Sequence, residues 1–308
     1  MSTLTELAIP KHYGPARDAA PPFDDSSRAD VVLRSSDDMH FRVSKTILAI
    51  ASPIFADMFS LSPPLKAEAV DETYHGLPVV PMAEDAATLD LLLRWCYPVR
   101  PPKLTTLEDV RRLAEVSRKY LIDAFVDAID DALRACLVND PVGVFAVAFT
   151  YKLDEIARTA ARAALRVPLP EVVSSPFSKL SSNALNTLIQ YHLACGVAAA
   201  AVTSRRDFFK DERGFTTKYS SPCDLCAFRD ESGTRCWYAP RYVWKYLDNA
   251  RRILCLHPHE EAISIQRTIN TCCFCSDGDV QRMKSARQFE ERFIGEVNAV
   301  IDKVRQFP

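Results

Sequence analysis

Between Asp30 and Phe59 the apolar residues pass from short strand-like runs to helical spacing, and that change limits the start of the chain to a mixture of short strands and helices. Val31, Val32 and Leu33 form a short apolar run, Ser35-Ser36-Asp37-Asp38 is turn chemistry, and Met39–Val43 supplies a second run, so the unit reads as a β-hairpin. Helical spacing follows in Ile47, Leu48, Ile50 and Ala51. Ser52-Pro53 then opens another helix carrying Ile54, Phe55, Met58 and Phe59, because a serine cap accepts from one orphan N–H and proline removes another. That helix ends before Pro63-Pro64.

Residues 1–22, broken by Pro10, Pro15, Pro21 and Pro22, read as a mobile leader. Leu65–Gly76 reads as a charged surface loop, and Leu77–Met82 as a third strand. Leu89, Leu92, Leu93, Trp95 and Cys96 resume helical spacing before Tyr97-Pro98. From Thr106 the set Val110, Leu113, Ala114, Ser117 and Leu121, then Phe125, Ile129, Leu133 and Cys136, predicts two helices with a slip at 119–122.

The order of these elements, with D-V-x-L at Asp30–Leu33, F-x-V-x-K-x-x-L-x-x-x-S-x-x-F-x-x-M-F from Phe41 to Phe59 and the later Arg118-Lys119-Tyr120, resembles a BTB/POZ domain over Phe23–Val138. One departure is Ser44-Lys45, where such domains place His before the Lys, which bears on local capping. The resemblance implies a homodimer formed through apolar residues of the hairpin and first helix. It also implies a possible role as a cullin-3 ubiquitin-ligase substrate adaptor, since Met82-Ala83-Glu84 matches a hydrophobic-x-Glu element that some BTB adaptors present to cullin-3. A glutamate capping the helix that starts near Asp85 accounts for Glu84 equally. The alternative role is a nuclear transcription or scaffold factor.

After Asp140-Pro141 the composition turns Ala- and Leu-rich, with helical period over Val144–Leu165 and Ser182–Leu193. These segments are similar to the BACK region of BTB adaptors, giving a BACK-like region at 139–204 and a Cys-rich subdomain at 205–308. Three helices are predicted in the latter, at Tyr242–Leu256, His259–Asn270 and Asp279–Phe307. The run C-x-x-C, W-K-Y-L-x-x-A, C-x-x-C and a long last helix resembles the C-terminal part of BTB proteins from basidiomycete fungi. The expected fold class is therefore an α+β N-terminal domain with a short three-stranded sheet, then a mainly α-helical region with a paired Cys-x-x-Cys site.

Seven of the ten cysteines crowd into Cys223–Cys275, whereas Cys96, Cys136 and Cys195 stand alone in apolar helical settings as core thiols. Two Cys-x-x-Cys pairs, Cys223/Cys226 and Cys272/Cys275, lie 49 residues apart. A structural zinc needs four soft ligands from two rigid corners, and these pairs supply them. The interval exceeds the roughly 15 to 20 residues between pairs in zinc ribbons, so buried free thiols or a redox pair are the competing readings. Cys273 adjoins Cys272 and offers an alternative ligand. Cys236, Cys255, His257 and His259 read as isolated residues rather than ligands.

No catalytic residue is assigned. Pro222–Cys226 and His259–Glu261 contain P-C-x-x-C and H-x-E, the parts of a zinc deaminase signature, but in the reverse order. The eight glycines are never closer than 17 residues, so neither G-x-G-x-x-G nor a P-loop can occur. Lys+Arg against Asp+Glu is 20 against 25 up to Ser204 and 18 against 15 beyond, too balanced for a nucleic-acid footprint. The N-terminus lacks the basic-then-apolar order of a secretory signal and the longest apolar stretch, near Ala194–Val202, is short for a membrane span. Cytoplasmic or nuclear residence is the expectation.

Overall fold

The computed structural model describes residues 17–60, 73–174, 181–205, 241–265 and 279–304, the side chains of 174, 241, 242 and 279–285 excepted. The chain divides into two compact units at Cys136/Leu137.

In the first unit, β1 (Arg17–Asp18), β2 (Val31–Arg34), β3 (Met39–Val43), β4 (Thr73–Tyr74) and β5 (Leu77–Pro81) form a sheet in the order β1-β3-β2-β5-β4. The predicted hairpin is present, with Val31 opposite Val43 and Leu33 opposite Phe41. β5 joins β2 in parallel and pairs β4 antiparallel, while β1 runs parallel to β3. The described sheet thus has five strands where three were expected. The two additions are two residues long, and neither carries an apolar alternation that a sequence pattern could register.

The domain also begins earlier than residue 23. Arg42, 7% exposed, donates to Asp18 Oδ2 at 3.2 Å and to the Asp24 carbonyl at 3.1 Å, and Ala19 N–H donates to the His40 carbonyl at 2.9 Å. Phe23 is fully buried, edge-on to Tyr97 at 5.2 Å. Residues 17–22 are therefore part of the domain rather than of a leader; residues 1–16 lie outside the described ones.

Helices α1 (Lys45–Ala51), α2 (Pro53–Ser60), α3 (Ala86–Cys96), α4 (Leu107–Tyr120) and α5 (Val126–Cys136) complete the unit. Ser44 makes no side-chain cap bond, and Asp30 takes its place by accepting from Lys45 N–H at 2.7 Å. Ser52 Oγ accepts from Phe55 N–H at 3.2 Å, as the Ser-Pro start predicts, and donates to the Tyr120 carbonyl at 2.6 Å. The slip after α4 is a left-handed Leu121 (φ 53°) followed by a 3-10 turn at Asp123–Phe125.

The second unit contains α6 (Pro141–Tyr151), α7 (Asp154–Ala164), α8 (Leu169–Ser174), α9 (Ser182–Val202), α10 (Arg241–Leu254) and α11 (Asp279–Ile301). The single helical stretch expected at Val144–Leu165 is two helices, because Lys152 adopts φ 60° and turns the chain. α10 and α11 both pack on α9, so the described residues from 241 onward belong to the same compact unit as α6–α9. Of the helix expected at His259–Asn270, residues 260–262 form a 3-10 turn and Ile263 is extended, while 266–270 lie outside the described residues. α9 is long and apolar enough to cross a membrane, yet Tyr191, His192, Cys195 and Ala199 on it are buried within the unit, as in a core helix.

Candidate protein-interaction surface

The hairpin residues expected at a subunit interface are committed to the core: Val31, Val32, Leu33, Phe41 and Val43 are all buried. Helix α1 behaves differently. Its apolar face splits, with Leu48 turned inward and Ile50 82% exposed. Ile54 at the start of α2 is 37% exposed, so each helix of the α1–α2 pair leaves one β-branched residue open to solvent. The Lys45 ammonium lies over the Phe59 ring, 5.9 Å from its centroid, in cation–π geometry.

Met82 and Glu84 follow β5 and are held in place. Met82 N–H donates to the Arg34 carbonyl at 2.8 Å and its side chain is buried. The Glu84 side chain is 7% exposed, and its carboxylate is bound by the Lys119 ammonium and the Tyr120 phenol. The cap of α3 is Asp85, which accepts from Thr88 N–H at 2.8 Å, so Glu84 is not the capping residue. Ser36 N–H donates to the Glu84 carbonyl at 2.8 Å, and Asp37 Oδ1 accepts from Ala86 N–H at 2.8 Å. Hydrogen bonds from Ser35 and then Ala86 hold the Asp37 carboxyl below its ordinary pKa. The β2–β3 turn therefore clamps the segment that carries Met82 and Glu84.

Cys223, Cys226, Cys236, Cys272, Cys273 and Cys275 lie outside the described residues. Of the remaining cysteines, Cys195 is buried and Cys255 exposed; burial pushes the Cys96 thiol up to about 12 and that of Cys195 to about 11, so both stay protonated at neutral pH. His257 and His259 are engaged locally. His257 Nε2 donates to the Arg166 carbonyl at 2.7 Å, and His259 Nδ1 accepts from Glu261 N–H at 3.3 Å to cap the 3-10 turn. That role uses both ends of the H-x-E triplet as turn chemistry. Among the described residues no three His, Cys, Asp or Glu side chains converge to hold a metal ion.

Residues 21–137 match the BTB/POZ domain family. No match is found among curated proteins. The first unit is thus a BTB domain, a protein-interaction module whose fold is a small mixed sheet with helices, and a helical region follows it. The outward Ile50 could be found from the sequence only by asking which α1 residue leaves the inward stripe. The engagement of Glu84 had no sequence signal, since its partners are about 35 positions away.

Proposed function

We propose that the protein is a non-enzymatic adaptor that self-associates through the outer face of α1 and α2 and recruits a partner through residues 137–308. The reading rests on the BTB match together with the exposure of Ile50 (82%) on α1 and Ile54 (37%) on α2, in a domain whose large apolar residues are mostly buried. Exposed apolar residues in pairs on a helix hairpin suit an isologous contact, where each patch meets its own copy. Light scattering of the full chain at micromolar concentration tests it: a mass near twice 34.5 kDa is expected, and a strict monomer is incompatible with the proposal.

Cullin-3 is the partner we assign to the BTB domain, through the segment of Met82 and Glu84. Because both side chains are held within the domain, contact would require the Glu84 pair to open or the backbone around Ala83 to be read instead. Co-purification of cullin-3 with wild type and with Met82→Glu, each checked for folding, decides the matter. Equal recovery from two folded proteins, or no recovery from either, excludes that role.

The zinc assignment is carried by spacing and soft-ligand chemistry: Cys223, Cys226, Cys272 and Cys275 would close one tetrahedral site with no position left for water, a structural rather than catalytic arrangement.

A further inference from the structure

Helix α7 carries Arg158 and Arg162 four residues apart, and Arg166 follows in the turn that closes it, so one side of the helix ends in a row of guanidiniums. They line an open cleft of about 880 Å³ whose other side is the turn at His259–Glu261 and the end of α11. A space of this size accommodates a few side chains of a peptide.

Pairing within the cleft is incomplete. Arg162 is committed, donating to Asn298 Oδ1 at 3.0 Å and to Asp302 Oδ1 at 3.3 Å. Arg158 turns to Glu155 at 3.2 Å, and both are exposed, so water competes for each. Arg166 donates from Nε to the Ala163 carbonyl at 3.4 Å, a long contact, and no described carboxylate lies within ion-pair distance of it. On the opposite side the Glu260 carboxylate accepts from the neutral Asn298 amide at 3.3 Å and, among the described residues, from no cation. Glu261, 69% exposed, sits 3.8 Å from His259 Nδ1, and burial of that imidazole lowers its pKa and keeps it neutral. A cation and two carboxylates therefore line one space without neutralising each other.

We propose that this cleft docks a peptide segment carrying both a carboxylate and a basic side chain, the carboxylate on the Arg166 guanidinium and the base on Glu260 and Glu261. A guanidinium fork matches a carboxylate with two parallel N–H···O bonds, which fixes orientation as well as charge. The three arginines are balanced by Glu260, Glu261 and Asp302, so a phosphorylated, doubly negative segment would meet repulsion that a mixed-charge segment does not. This deepens the reading of residues 137–308 as the recruiting part and is independent of self-association by the BTB domain.

The test uses the full chain and short labelled peptides in an alanine background: one with Glu in its first half and Lys in its second, one with the halves reversed, one all-Glu, one all-Lys and one with phosphoserine for Glu. One mixed peptide should bind about tenfold more tightly than any single-sign or phosphorylated peptide, and weaken with salt. Arg166→Glu and, separately, the exposed Glu261→Lys should each cost about tenfold. The double variant Arg166→Glu/Glu261→Lys should recover affinity for the peptide with reversed order, which a merely structural role of Arg166 would not produce. Preference for the phosphorylated or a single-sign peptide overturns the proposal, as does unchanged binding by folded Glu261→Lys. Light scattering on the same samples reports self-association separately, so its failure is distinguishable from failure of the cleft.

Discussion

The Tyr120 phenol donates to Glu84 Oε2 at 2.8 Å, joining the segment after β5 to the last residue of α4. Tyr120 also stacks on Phe55 with ring centroids 4.6 Å apart, and its carbonyl accepts from Ser52 Oγ. Burial, then the bond to Glu84, pushes the phenol's pKa far above its ordinary value, so it is a donor at neutral pH. One residue thus ties α2, α4 and the β5–α3 connection together.

Removing the acceptor should therefore be costly. Glu84→Ala is expected to destabilise the BTB domain by about 1–3 kcal/mol, because a buried phenol loses its partner, whereas Tyr120→Phe should cost about 1 kcal/mol. In urea unfolding the double variant should lose less than the two singles summed. Full additivity would show that the two side chains do not interact.

Ile50→Lys should separate folding from assembly. The position is 82% exposed, so the unfolding midpoint should stay within about 0.5 kcal/mol of wild type. The scattering mass should fall toward 34.5 kDa. A variant that remains fully dimeric places the interface elsewhere.

For the metal, elemental analysis of reduced, chelator-free protein should give about one zinc per chain. Cys226→Ser and Cys275→Ser should each lose it, together with protease resistance beyond Arg205 and with the BTB domain intact. Zinc binding in small peptides is worth on the order of 10 kcal/mol and is coupled to folding. Metal-free wild type with a fully folded C-terminal part would mean that these cysteines are core thiols.

Gly196 lies on α9 where a Cβ would run into the Cys255 carbonyl oxygen just beyond α10. Gly196→Ala must push backbone away from backbone, and overpacking of that kind costs about 1–3 kcal/mol. Thermal unfolding should show the loss in the second unit alone.

His192 is fully buried, its Nε2–H donating to the Val167 carbonyl at 3.0 Å, and burial lowers its pKa below 6.5. The folded state therefore binds the proton less readily than the unfolded one, and stability rises with pH across that interval. The contribution is complete above about pH 6.5 and is lost as pH falls through the lowered value. His192→Gln should flatten the dependence between pH 7 and 5 in denaturation of the second unit. An unchanged slope would assign it to other groups.

Local chemistry made much of the BTB domain legible in the chain alone. The hairpin follows from Val31–Leu33 and Met39–Val43 flanking a polar turn, the start of α2 from Ser52-Pro53, and α4 and α5 from apolar spacing, because each depends on neighbours within one or two turns of backbone. Features closed by distant partners were illegible. β1 exists because Arg42, 24 positions on, holds Asp18, and two residues carry no periodicity of their own. The break at Lys152 is a single left-handed residue inside continuous helical spacing, permitted once α6 and α7 pack against each other. Glu84 read as a solvated cap or a partner contact, yet chain folding brings Tyr120 and Lys119 to it and buries the carboxylate. Composition and spacing report the periods that bury apolar area, whereas which polar group meets which is set by the free energy of leaving none of them unpaired in the interior, and that is defined only when the whole unit has closed.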